Sequence, residues 1–147
     1  MNRQTRLIRN RLVPVLILVL LAVYQYYSHD RPAVDYGDAT GSVQAAYAAH
    51  QSNTWLETQG RISRVLRDDN DGARHQKFIL ELDDGHTVMV AHNIDLAERI
   101  PARENLSVRV RGRYEWNDRG GVIHWTHHDP DGQLKGGWLE VNQVRYE

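Results

Sequence analysis

The chain has 147 residues, no cysteine and a formal net charge of −1, which is room for one ordinary domain and a short appendage. Lacking cysteine, it has no disulfide, thiol nucleophile or thiolate metal ligand. The near-neutral sum combines a basic tip (Arg3, Arg6, Arg9 and Arg11) with a mildly acidic body, and the lack of a concentrated basic stripe argues against general nucleic-acid binding.

After that tip, residues 12–23 are apolar throughout. A basic start followed by about a dozen apolar residues fits a secretory signal peptide or a signal anchor. Signal peptidase reads two small residues, and the positions after the apolar run are poor for it: Ala22 is followed two residues later by Tyr24, and Tyr26 precedes Ser28. Tyr24, Tyr26 and Tyr27 instead resemble interfacial aromatics at the outer end of a span. A helix over 13–27 would cover about 22 Å, short of a hydrocarbon core of roughly 30 Å, a gap that snorkelling of Arg11 and local thinning can close. Retained or cleaved, the segment leaves the arginines in the cytoplasm and exports the body. The expected organisation is a signal anchor or signal peptide over 1–28, a linker over 29–41 and a folded domain over 42–147. The protein is then expected at the inner membrane as a single-pass protein with its body in the periplasm.

Ser42 reads as an N-cap, and Val43, Ala46, Tyr47 and His50 follow at helical spacing, predicting a short amphipathic helix to about Ser52 with His50 as a packing residue. From Trp55 the pattern turns to strands. Residues 60–66 carry Ile62, Val65 and Leu66 with a phase break that predicts a bulge. Residues 77–82 alternate with Phe78, Leu80 and Leu82 inward, and the Asp83-Asp84-Gly85 turn returns the chain as a hairpin partner over 87–91. A brief helical turn over 94–99 ends before Pro101. Residues 106–114 alternate again, with Leu106, Val108, Val110, Gly112 and Tyr114 facing in and Arg109, Arg111 and Arg113 forming a solvated outer stripe. A loop over 117–121, a strand over 122–126 and a last strand over 138–141 complete the body. Five or six strands with a short helical element between the third and fourth predict a mainly β fold, a small OB-like barrel, with a β-sandwich or half-open roll as the alternative.

The densest polar cluster is Ile123-His124-Trp125-Thr126-His127-His128-Asp129-Pro130. Histidine and aspartate suit zinc, iron or manganese. In an extended strand, however, His124 and His128 would lie about 13 Å apart, too far to share an ion. A divalent metal would need the chain to turn near Thr126 and would draw on His75, His92, His124 and His128; otherwise His127, His128 and Asp129 form a polar turn. His92-Asn93-Ile94-Asp95 leaves the third strand, where Asn93 and Asp95 suit capping and His92 shares the inward phase of Val88 and Val90. Arg74 beside His75 can either position an anionic group or form a solvated strand start. The Asp68-to-Gly72 run has calcium-loop composition without the EF-hand spacing. Glu115 reaches His124 or His127 if the hairpin register allows, where it could act as a general base. Trp116, Trp125 and Trp138 either stack on a ligand or fill the core.

These segments resemble a bacterial family of small exported or membrane-anchored proteins, grouped as a domain of unknown function and sharing a His-Trp-Thr-His signature. The matching stretches are Arg74-His75-Gln76 with Phe78, the run from Ala91 through His92, Asn93 and Asp95 to Ala97, Tyr114-Glu115-Trp116-Asn117, and Gly120 to Pro130. The resemblance implies a shared fold and supplies no activity. Its motifs fall on polar histidine clusters more than on strand interiors, which favours a site over packing.

Three functions stand open. The first is a membrane-anchored extracytoplasmic binding module for a small-molecule, glycan or protein ligand, with Arg74, His75, His92, Asn93, Asp95, His124, Trp125, His127, His128 and Asp129 as candidate contacts. The second is a metal-assisted or His/Glu acid–base hydrolase of the envelope, with His124, His128 and Glu115 as candidate catalytic groups. The third is an interaction subunit of an envelope complex.

Overall fold

Ser42 opens the first described element: its backbone is extended and its hydroxyl accepts from the Ala45 N–H at 3.1 Å, capping helix α1 (Val43–Ala48). His50 closes it with φ 52°, while the His50 N–H bonds the Tyr47 carbonyl and the Gln51 N–H the Ala46 carbonyl. That paired closure, usually built on glycine, stops α1 before the predicted end at Ser52. The structure is a computed structural model that describes residues 41–133 and 135–147. The expected membrane helix and nearly all of the linker lie outside those residues. Among the described residues no helix is long and apolar enough to cross a membrane.

Seven strands follow: β1 (Thr54–Val65), β2 (His75–Glu81), β3 (Thr87–Asn93), β4 (Ser107–Glu115), β5 (Val122–His124), β6 (Trp138–Val141) and β7 (Val144–Tyr146). The first half of β1 pairs with β4 and its second half with β2, with the predicted bulge between Ile62 and Arg64. Gly60 sits where β1 passes between these partners, and a Cβ there would lie 2.3 Å from the Glu81 carbonyl oxygen. Pairing continues from β2 to β3, from β3 to β5 in parallel, and from β5 to β4, so five strands close a barrel in the order β1-β2-β3-β5-β4. This agrees with the mainly β, OB-like barrel expected from five or six strands, with β6 and β7 added outside the closed five.

Because β5 has three residues, it occupies only the end of the free edge of β4, and β6 pairs with the remainder through Arg109, Val110 and Arg111. Asn142 and Gln143, both at positive φ, make the two-residue turn into β7, a strand too short for alternation to reveal.

Inward side chains alternate as predicted: Phe78 and Leu80 from β2, Val88 and Val90 from β3, Val108, Val110 and Tyr114 from β4, joined by Leu56, Ile62 and Ile123. Val43 and Ala46 add the apolar stripe of α1 to this core. Between β3 and β4 the chain makes a single turn in place of a regular helix, with the Ala97 N–H on the Asn93 carbonyl. Ile100, fully buried, packs there. Buried Gln76 holds it through both polar groups, donating to the Ile100 carbonyl at 3.0 Å and accepting its N–H at 3.1 Å.

One outward position departs from the solvated stripe expected for β4. Arg111 is 2% exposed. Its Nε donates to the Gly136 carbonyl at 3.1 Å and its Nη1 pairs with Glu57 at 3.1 Å, because the chain returns over it through Gly136 and Gly137. That approach requires glycine: a Cβ on Gly137 would meet the Trp125 and Arg111 carbonyl oxygens at 2.0 and 2.5 Å. Arg109 and Arg113 stay half-exposed beside it.

Candidate functional site

β5 ends at His124, and Trp125 then takes a left-handed backbone with φ 54°. For a bulky side chain that conformation is a true outlier, costing on the order of 1–3 kcal/mol. The turn comes one residue earlier than the metal reading required, and it divides the signature into an inner and an outer group.

The inner group is His92, Thr126 and His127, all buried. His92 Nε2 lies 3.0 Å from the Glu98 carbonyl oxygen, which can only accept, so Nε2 carries the proton. Nδ1 then accepts from the Thr126 hydroxyl at 2.8 Å. Burial holds this imidazole below its ordinary pKa, and the nearby His127 and His75 act in the same direction, against the hydrogen bonds to Glu98 and Thr126. His127 donates from Nδ1 to the His128 carbonyl at 2.7 Å, while its own carbonyl accepts the Gly137 N–H. These three residues tie β3, the end of β5 and the returning loop together. Neither nitrogen of His92 is left for a metal or ligand.

The outer group lies on the exterior of β4 and β5. The register opposes Arg113 to His124 and Glu115 to Val122, which places His124 Nε2 3.6 Å from Glu115 Oε1. Glu115 is fixed from two further directions: its other oxygen accepts the Asn53 N–H at 3.2 Å, and Arg113 Nε lies 3.4 Å from Oε1. The Arg113 guanidinium sits 5.4 Å from the centre of the Trp125 ring, which stacks on His127 at 5.6 Å. His124 Nε2 and Arg113 Nε are both buried without a hydrogen bond, a state uncommon enough in folded proteins to require a reason. Burial pushes the His124 pKa down, as does Arg113, with Glu115 opposing.

The remaining candidates bond among themselves or within their own turns, although His75 acts electrostatically on both His92 and His124. Arg74 donates from its backbone N–H and from Nε to the two oxygens of Asp95, each at 2.7 Å, and Asn93 accepts the Asp95 N–H at 2.9 Å. The two N–H donors of Arg74 hold the Asp95 carboxyl below the usual carboxylate range. His75 Nδ1 donates to the Ala73 carbonyl at 2.8 Å. His128 is exposed, and Asp129 accepts the Gln133 N–H at 2.7 Å within its own turn. The Asp68-to-Gly72 run is a polar turn, with Asp69 accepting the Asp71 N–H and Asp68 paired with Arg99. Among the described residues no group of three or more His, Asp or Glu is placed to hold a metal ion.

Of the three candidate tryptophans, Trp138 is buried beneath Arg109 and Arg145, and Trp116 packs against Tyr47 and His50. Trp125 alone joins the outer polar group. Arg111 was expected in the solvated stripe of β4, and Gln76 only as part of the stretch Arg74-His75-Gln76. An arginine in an alternating strand gives no sign of which neighbour a distant glycine pair will cover, and Gln76 precedes the strand predicted over 77–82, so its tie to Ile100 was not visible.

Comparison with curated proteins finds no match. The model of the family described as "Protein of unknown function (DUF3465)" matches residues 26–147, and the chain belongs to that family.

Proposed function

We propose that the protein is a binding module held at the outer face of the inner membrane, and that it recognises a saccharide of the cell envelope through Arg113, Glu115, His124 and Trp125. One observation carries the reading: an aromatic ring presented on a strained left-handed backbone beside two buried nitrogens that approach Glu115 at 3.4 and 3.6 Å without closing a hydrogen bond. Strained bulky residues and unsatisfied buried donors both persist where function compensates for them. An indole face with an arginine, a carboxylate and an imidazole around it suits a polyhydroxylated ring, whose apolar face stacks while its hydroxyls both donate and accept. The location rests on the arginine tip and apolar run of residues 1–28. The family match, beginning at residue 26, is consistent with an appended leader.

The 3.6 Å approach of Glu115 to His124 favours a second reading, an acid–base hydrolase acting on the same ligand. A metal-assisted version has lost His92 from its ligand set, since both ring nitrogens are bonded inside the protein.

One experiment separates the two. The full chain in non-ionic detergent is titrated with chitotriose and with a muropeptide, following tryptophan fluorescence, and the same mixtures are assayed for new reducing ends. Saturable quenching that Trp125→Phe weakens and His124→Ala abolishes, without hydrolysis, supports the binding module. Hydrolysis lost in Glu115→Gln supports the enzyme. No fluorescence change with either sugar overturns the saccharide assignment.

A further inference from the structure

Arg111 is the one arginine of the β4 stripe taken out of water, and its burial is incomplete chemically. Nε serves Gly136 and Nη1 serves Glu57, while Nη2 is buried with no hydrogen-bond partner. A guanidinium carries five donors and no acceptor, so a buried unused nitrogen is costly unless something else occupies it. The group lies against the Trp55 ring, 5.5 Å from its centre, which fixes the plane of the fork. It also lines a cleft of about 500 Å³ between the outer face of β4, strand β6 and the returning loop. Arg109, Lys135, Arg145 and His128 contribute to the same walls, and none of the outer-group residues on β4 and β5 does.

Carboxylates line the same cleft. Asp129 accepts backbone N–H groups of its own turn, and Glu140 pairs with both Arg109 and Arg145. Glu147 lines the wall at the chain end. Glu57 is the carboxylate on Arg111 itself, at 40% exposure and through a single oxygen. A half-exposed, monodentate partner is easily exchanged for a better one.

We propose that this cleft is an oxyanion site for a phosphate group, in which the ligand takes Nη1 and Nη2 of Arg111 together and the Glu57 carboxylate swings out to solvent. Two oxygens on one guanidinium is the strong bidentate geometry. Arg145 lines the same cleft, whose volume leaves room for more than a bare anion. The phosphate can come from a soluble phosphate compound or from a phospholipid headgroup. The site stands independently of the saccharide reading, because the two share no residue.

The test titrates the full chain in non-ionic detergent with inorganic phosphate and with glycerophosphoglycerol, the soluble headgroup of an anionic phospholipid. Heat of binding and thermal stability are measured against chloride at matched ionic strength. Saturable binding of either compound is expected, and the tighter one identifies the source. Glu57→Gln should tighten binding several-fold by removing the internal competitor. Arg111→Lys, which keeps the charge and loses the fork, should weaken it about tenfold. Arg145→Ala, a change at an exposed side chain, should weaken it by a smaller factor of about three, so the proposal stays testable if Arg111→Lys does not fold. Absence of binding beyond the chloride control overturns the site. So does binding that is unchanged in Glu57→Gln and Arg145→Ala.

Discussion

Thr126 and His124 lie two residues apart in one signature, yet they inhabit different chemical worlds. Thr126 has its hydroxyl on a fully buried imidazole that is itself anchored to the Glu98 carbonyl, so both nitrogens of His92 and the Thr126 hydroxyl have partners. His124 is 29% exposed, holds a nitrogen with no hydrogen bond and faces a carboxylate 3.6 Å away. The backbone reversal at Trp125 separates them. Histidine content alone is therefore a poor guide to a site. The inner group behaves as internal structure, and the outer group is the one proposed to meet a ligand.

The largest expected effect falls on the inner group. His92→Ala removes a buried ring and strands the Thr126 hydroxyl and the Glu98 carbonyl, which should cost about 3 kcal/mol in chemical denaturation. A loss under about 1 kcal/mol would dissolve the distinction between the two groups. Thr126→Val, similar in shape, leaves only His92 Nδ1 without its donor and should cost about 1–2 kcal/mol. Neither change should alter saccharide binding by the variant that remains folded.

How far this division was legible in the sequence depends on which contacts are local. The inward phase of His92 followed from Val88 and Val90, and the nearness of Glu115 to His124 followed from a short hairpin between two strands. Alternation likewise carried β2, β3 and β4, and Ser42 marked the start of α1. The bond between His92 and Thr126 spans 34 residues and depends on parallel pairing of β3 with β5, which no periodicity encodes. Arg109, Arg111 and Arg113 are equivalent in a period-two pattern, and only the return of Gly136 and Gly137 makes the middle one buried. The reversal at Trp125 was hidden for a different reason: left-handed backbone is expected at glycine or asparagine, and the residue there is neither.

Acidification should sharpen the same contrast. The imidazole of His92 is held below its unfolded value of 6.5, so below about that pH the unfolded chain takes up a proton that the native state resists. Its contribution to stability is thus fully present above pH 6.5 and is lost as pH falls toward the native pKa. His124 is shifted in the same direction and adds to the slope. Denaturation midpoints measured from pH 7.5 to 5.5 should fall with pH in the native chain. The slope should flatten most in His92→Gln and less in His124→Gln, since the first ring is fully buried and the second only partly. Equal flattening by both substitutions would place the two histidines in one class.

The smallest change in stability is expected at the left-handed backbone of Trp125. Trp125→Gly relieves a left-handed conformation and forfeits the ring contacts with Arg113 and His127, at 5.4 and 5.6 Å. Relief of strain at a position glycine accepts readily offsets a contact worth about 0.5–1 kcal/mol, so the midpoint should move by less than about 1 kcal/mol in either direction. Trp125→Ala loses the same contacts and keeps the strain, so it should be less stable than the glycine variant by about 1 kcal/mol. Both should lose the proposed saccharide binding, because both remove the indole. If Trp125→Gly instead cost more than about 2 kcal/mol, the indole would be bracing the turn between β5 and the returning loop. The strain would then be the consequence of packing, and the outer group would join the inner one as structure.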